Sequence, residues 1–206
     1  ATRHGNILVR GRVACGDVEK ALAAADVTVE CEFETGFVEH AYIEPEAGWS
    51  RRVDDGIELT VSTQSPYLDR DDVAAILGIA QDKVRIIPSA CGGGFGSKLD
   101  LSVQPFVALA AWLTGRPAAM VYTRQESIMS TTKRHPSRMR SRMGASRDGR
   151  ITAMDFEGDF NTGAYASWGP TVANRVPVHA SGPYAVPNYR AQSRAILTHS
   201  VPSGAF

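Results

Sequence analysis

The chain has 206 residues, 43% apolar and 21% charged, which is enough apolar material to bury a core and excludes global disorder. Its 22 basic and 22 acidic residues cancel at pH 7, so the surface as a whole is not built to trap nucleic acid or anionic lipid. No stretch nears the roughly 18 apolar residues of a membrane span, and residues 1–6, which include His4, lack a signal-peptide pattern.

In chain order, Asp17 is an N-cap for a short helix over 17–25. A strand follows over 27–34, and its alternation predicts one buried face of Val27, Val29, Cys31 and Phe33. Ile57–Val61 is the next strand and runs into Ser62-Thr63-Gln64-Ser65-Pro66; a helix is predicted over Leu68–Leu77, closed by Gly78. Lys83–Ile87 is a strand that leads into the glycine-rich Cys91–Lys98, and Asp100–Leu113 reads as an apolar helix directly after that loop. Ala119–Thr123 is a strand. Arg138–Met143 and Ile151–Phe160 form a hairpin around Asp148-Gly149. Beyond Asn161 glycines and prolines break every periodic pattern, so this tail is expected to lie against protein outside the chain. With no initiator Met, the chain reads as a fragment.

Gly92-Gly93-Gly94-Phe95-Gly96-Ser97-Lys98 is the sharpest local signal. Consecutive glycines leave the backbone uncovered, so main-chain N–H groups can converge on an anion or an oxo ligand, with the N-terminus of the following helix assisting. The spacing is not that of a Walker A loop, because Ser97 precedes Lys98 and Leu99 follows it. Gln64 offers a carboxamide donor and acceptor suited to an oxo group. His40, Glu44 and Glu46 could suggest a metal, but the His40-x-x-x-Glu44 pair lies in a Pro45-containing, non-helical segment and lacks a third ligand, so all three are read as structural. The basic stretch Lys133, Arg134, Arg138, Arg140, Arg142, Arg147 and Arg150 lacks neighbouring aromatics for base stacking and is read as a solvated strand face, with no nucleic-acid partner. Cys15, Cys31 and Cys91 fit no disulfide framework or zinc knuckle and suit a reducing, cytoplasmic setting.

Five motifs in order carry a resemblance: Ser62-Thr63-Gln64, Gly92–Lys98, Arg134-His135-Pro136, Gly182–Asn188 and Ser203–Phe206. Together they resemble the xanthine dehydrogenase and aldehyde oxidase family of molybdenum hydroxylases. The resemblance implies an α+β fold, mixed sheets with packed helices, as the first molybdopterin-binding domain of the large subunit. It places a linker and short helix at 1–29 and a partial domain at 30–206. It implies molybdopterin as cofactor, with the cytosine dinucleotide form as one candidate, and 2Fe-2S clusters and FAD on partner subunits or domains. Gln64, Gly93, Gly94, Phe95 and Gly96 would bind that cofactor, with the amides around Phe95 and Gly96 at the oxo region and no protein side chain on the metal. Arg175 would stabilise negative charge on substrate. Leu99 replaces the glutamate that purine-oxidising members carry, which turns the pocket wall apolar and favours an aldehyde or an aromatic N-heterocycle. The resemblance further implies oligomeric assembly and a catalytic glutamate beyond Phe206, leaving this fragment inactive alone. A phosphate- or nucleotide-binding module using the glycine loop is the alternative.

Overall fold

A computed structural model describes residues 5–206; His4 and the start of the expected 1–29 linker lie outside the described residues. The chain divides into two units, one running to Val38 and resuming over Arg134–Gly204, the other formed by Glu39–Lys133 with Ala205–Phe206.

The first unit contains strands β1 (Ile7–Cys15) and β2 (Val27–Thr35) with helix α1 (Val18–Ala23) between them. Residues 7–15 are thus not linker: they pair antiparallel, from Ile7 to Cys15, with a strand almost two hundred residues away. No local pattern in 7–15 announces this, because the partner is distant. Strands β7 (Ser137–Ala145) and β8 (Ile151–Gly163) make the expected hairpin, and β9 (Asn188–Leu197) completes a sheet of order β1-β9-β8-β7-β2. β8 and β9 are parallel. Parallel neighbours need a crossover, and helix α5 (Gly169–His179) supplies it. The tail beyond Asn161 therefore folds within this unit. Pro170 stands at the helix start, where its missing N–H costs nothing, and buried Gly169, Ala173 and Pro177 recur every four residues on the face toward the sheet.

Alternation in β8 separates two environments. Met154, Phe156 and Phe160 join Tyr189 and Ala191 in a core capped by Val176 and Ala180 around α5. Asp155, Glu157 and Asp159 face the other way and meet arginines: Arg142 and Arg190 hold Asp155, and Arg194 holds Asp159 and Glu157. Across β2 and β7, Arg138 pairs with Glu34 and Arg140 with Glu30. Three members of the basic stretch, Arg138, Arg140 and Arg142, are thereby neutralised within their own sheet. The expected burial on β2 does not hold: Val27, Val29 and Phe33 are 51%, 55% and 55% exposed. β2 is an edge strand at the opposite end of the sheet from β1 and β9, which α5 covers. Alternation reports two faces; it does not say which face is covered.

The second unit has strands β3 (Ala47–Val53), β4 (Gly56–Val61), β5 (Val84–Pro88) and β6 (Ala118–Val121) in the order β5-β4-β3-β6, with helices α2 (Pro66–Leu77), α3 (Gln104–Thr114) and α4 (Arg124–Ser130). Every second residue of β4, Ile57, Leu59 and Val61, is at most 1% exposed and packs with Val73 and Ala74 of α2 and Val107, Ala108 and Ala111 of α3. Thr123 and Glu126 form a reciprocal capping box at the start of α4. Helix α3 begins at Gln104 with Pro105 in its first turn, four residues later than the apolar pattern suggested. No helix among the described residues is long and apolar enough to cross a membrane.

Candidate functional site

The site lies in the second unit and follows from strand pairing. β4 and β5 run parallel with Val61 opposite Pro88, so the segments leaving their C-terminal ends, 62–65 and 89–98, emerge side by side. C-terminal ends of parallel strands are where such sheets place ligands. β3 runs antiparallel to β4, with Gly48 opposite Val61, so the segment entering β3 arrives at the same edge. Three stretches distant in sequence, 40–46, 62–65 and 89–98, therefore converge.

Gln64 meets the glycine loop directly. Its Oε1 accepts from the Gly96 amide at 2.9 Å and the Lys98 amide at 3.3 Å, and its own backbone amide donates to the Lys98 carbonyl at 3.0 Å. Two N–H donors aimed at one atom require that atom to be oxygen, so the carboxamide is fixed with Nε2 on the outer side. A Cβ at Gly94 would collide with the Gln64 carboxamide oxygen, and one at Gly96 would come within 2.5 Å of the Ala205 carbonyl oxygen. Gly96 also has φ +108°, a conformation that side chains rarely accept. Phe95, at φ 52°, occupies the left-handed region despite its side chain, and its ring is 65% exposed. The Gly96 amide is spent on Gln64 and does not point outward as expected. The amides of Gly93, Gly94 and Phe95 have no hydrogen-bond partner among the described residues.

Beneath the loop, Glu44 Oε2 accepts from the Gly92 amide at 2.7 Å, from Lys98 Nζ at 2.7 Å and from Ser62 Oγ at 2.7 Å. Lys98 spends its other two protons on the Glu44 carbonyl and Ser62 Oγ, both at 3.0 Å, and its Nζ lies 4.7 Å from the Tyr42 ring centroid. Burial pushes the Glu44 carboxyl up, but Lys98, Ser62 and Gly92 outweigh it and hold it below the usual carboxylate range. The Tyr42 hydroxyl donates to Glu46 and sits 3.3 Å from Ser97 Oγ; burial, with Glu46 beside it, pushes it up to about 12. His40 Nε2 lies 2.7 Å from the Ala205 carbonyl and its ring stacks 4.4 Å from Phe206. Burial lowers the His40 pKa against the Ala205 carbonyl, which raises it, and leaves Nδ1 without a partner. His40, Glu44 and Glu46 thus go to three separate partners, and no metal-binding cluster exists among the described residues. Sequence reading missed the joint role of Glu44, Ser62 and Lys98, since opposite charges 54 residues apart give no local signal.

A profile of the Molybdopterin cofactor-binding domain family matches residues 2–206. The chain belongs to that family. Among molybdopterin-binding relatives, it is 46% identical over 192 residues to the nicotinate dehydrogenase large molybdopterin subunit of Eubacterium barkeri, covering 93% of this chain and 45% of the relative. It is 39% identical to a probable xanthine dehydrogenase subunit of Bacillus subtilis, over 98% of this chain and 27% of that one. The solved aldehyde oxidoreductase of Desulfovibrio gigas superposes with a TM-score of 0.93 at 30% identity, covering 98% of this chain and 22% of that structure. The chain spans less than half the length of these relatives. The α+β fold of mixed sheets and packed helices is therefore the molybdopterin-binding domain fold, and among the described residues its loop of unpartnered amides beside an unpartnered carboxamide nitrogen fits an oxygen-rich cofactor.

The two residues expected to meet substrate belong to different units. Leu99 ends the 3-10 turn Ser97–Leu99, donates its amide to the Gly96 carbonyl at 3.3 Å and is half-buried. Arg175 belongs to the first unit, two residues past buried Ala173 on α5, and is exposed. The loop is followed by that 3-10 turn and not directly by α3, so the helix expected after it does not lend its N-terminus to the loop. That removes one support for a phosphate- or nucleotide-gripping module.

Proposed function

We propose that the chain forms part of the large subunit of a molybdenum hydroxylase that oxidises an aromatic N-heterocycle or an aldehyde with water as oxygen source, in the cytoplasm. The observation that carries this reading is the Gln64 carboxamide, turned oxygen-inward by the Gly96 and Lys98 amides so that its Nε2 protons remain for a bound group. When bound, the molybdenum–pterin cofactor supplies the two-electron redox chemistry. In this reading Gln64 Nε2 and the amides of Gly93, Gly94 and Phe95 hold and orient the cofactor as neutral donors, which steady an oxygen without competing for the metal. Phe95 and Leu99 offer apolar surface to a flat substrate, and Arg175 offers positive charge. An apolar residue at Leu99 does not reward a purine's polar edges, and the similarity to a nicotinate dehydrogenase subunit supports a heterocycle with few of them. We assign 2Fe-2S and FAD centres to partner subunits or domains, in an oligomer, with the pterin as molybdopterin or its cytosine dinucleotide.

The test is molybdenum and pterin analysis of the complete native enzyme, followed by turnover on a panel of N-heterocycles, aldehydes and purines. Stoichiometric molybdenum with heterocycle or aldehyde turnover is expected. Absence of molybdenum and pterin rejects the reading, and a preference for purines over aldehydes and heterocycles with fewer polar edges rejects its substrate preference.

A further inference from the structure

We propose that Glu44 is a positioning residue for the glycine loop, closing it by holding the Gly92 amide and the Lys98 ammonium on one carboxylate oxygen and so aiming the unpartnered amides of residues 93–95. This rests on the proposed cofactor reading and extends it to a residue that touches neither cofactor nor substrate. Gln64 alone leaves the loop open, because it reaches Gly96 and Lys98 but not Gly92. Glu44 Oε2 reaches both ends, 2.7 Å from each donor, and Glu44's own amide adds a second tie to the Gly92 carbonyl at 3.3 Å. Lys98 is 2% exposed, all three of its protons are directed, and Ser62 fixes both partners by donating to one and accepting from the other. A loop rich in glycine has many accessible conformations, so a tie at both ends removes most of the entropy that binding would otherwise have to remove.

The brace predicts separable effects in the complete enzyme. E44Q keeps the shape but leaves the buried ammonium without its counter-charge; E44Q/K98M removes both charges and restores a compatible interior. Loop amide exchange, read in enzyme prepared without cofactor, should quicken about tenfold at the hydrogen-bonded amides of Gly92, Gly96, Ser97 and Lys98 in both variants. The double variant should melt at the wild-type temperature, yet its Mo(V) EPR signal should shift and kcat should fall about 10- to 100-fold with KM within about twofold. Wild-type exchange, EPR and kcat in the double variant would reduce the pair to a plain structural ion pair and overturn the proposal. If the double variant does not fold, S62A carries the same readouts at about threefold amplitude, and unchanged exchange there rejects the brace. Wild-type enzyme without molybdenum or pterin sinks the functional reading separately, and the brace is then decided by the exchange rates alone.

Discussion

Lys98 in the second unit and Arg138 in the first each face a glutamate, at 2.7 Å and 3.3 Å, yet the two pairs do different things. The Lys98 side chain is 2% exposed and its neighbours use every proton; Arg138 and Glu34 are 81% and 69% exposed toward the β2 edge of their sheet. Water already serves the exposed pair, so it adds little beyond neutralising the sheet face. The Lys98 ammonium has no such alternative, and the Glu44 carboxylate that neutralises it, 31% exposed, is held where that charge must be. Charge near a functional loop is therefore informative in proportion to its burial.

Breaking that contrast should give a graded series. Glu44→Ala strands the Lys98 ammonium and should cost about 3–5 kcal/mol in urea unfolding. Next comes His135 of the first unit, whose pKa burial lowers from 6.5 to about 4. A histidine held neutral by the fold stabilises above its unfolded pKa and loses that contribution as pH falls, so stability should drop by up to about 3 kcal/mol from pH 6.5 toward 4. His135→Gln should flatten the slope in pH-dependent melts. Asp155→Asn removes a half-buried carboxylate held low by Arg190 and, against burial, by Arg142; a loss of about 1–2 kcal/mol, shrinking in high salt, is expected by thermal denaturation. Arg138→Ala should move stability by less than about 0.5 kcal/mol. An Arg138 effect as large as that of Glu44 would erase the distinction.

The loop and its partner glutamine were legible because their chemistry is local: glycines in sequence and a carboxamide in a polar turn after a strand. The β7–β8 hairpin was legible for the same reason, its Asp148-Gly149 turn lying between two alternating strands. β1, α5 and β9 were not. Pro177 sits inside α5, where its missing N–H would argue against helix, and the helix stands because its apolar face packs on the sheet and the Ser193 hydroxyl donates at 2.7 Å to the Ala173 carbonyl, the acceptor that Pro177 leaves without an amide. β1 and β9 are held by each other across the sequence, an interaction with no short-range trace. The Glu44 contacts escaped for that reason too: a carboxylate beside Pro45 reads as a surface residue until strand order brings Gly92, Ser62 and Lys98 to it.

The Val61–Pro88 alignment of β4 and β5 also has a consequence for how this domain can change. Sliding β5 by one residue would move the glycine loop by about 3.3 Å, beyond the tolerance of any contact that Gln64 makes, while inverting which side chains of β5 face inward. Sequence drift on the exposed side of the α2 crossover, away from buried Asp69, Val73 and Ala74, is cheap by comparison, since that surface does not set where the two strands end. The domain is thus free to diversify along its outer helix while its ladder of main-chain pairings acts as the ruler against which the ligand cradle is measured.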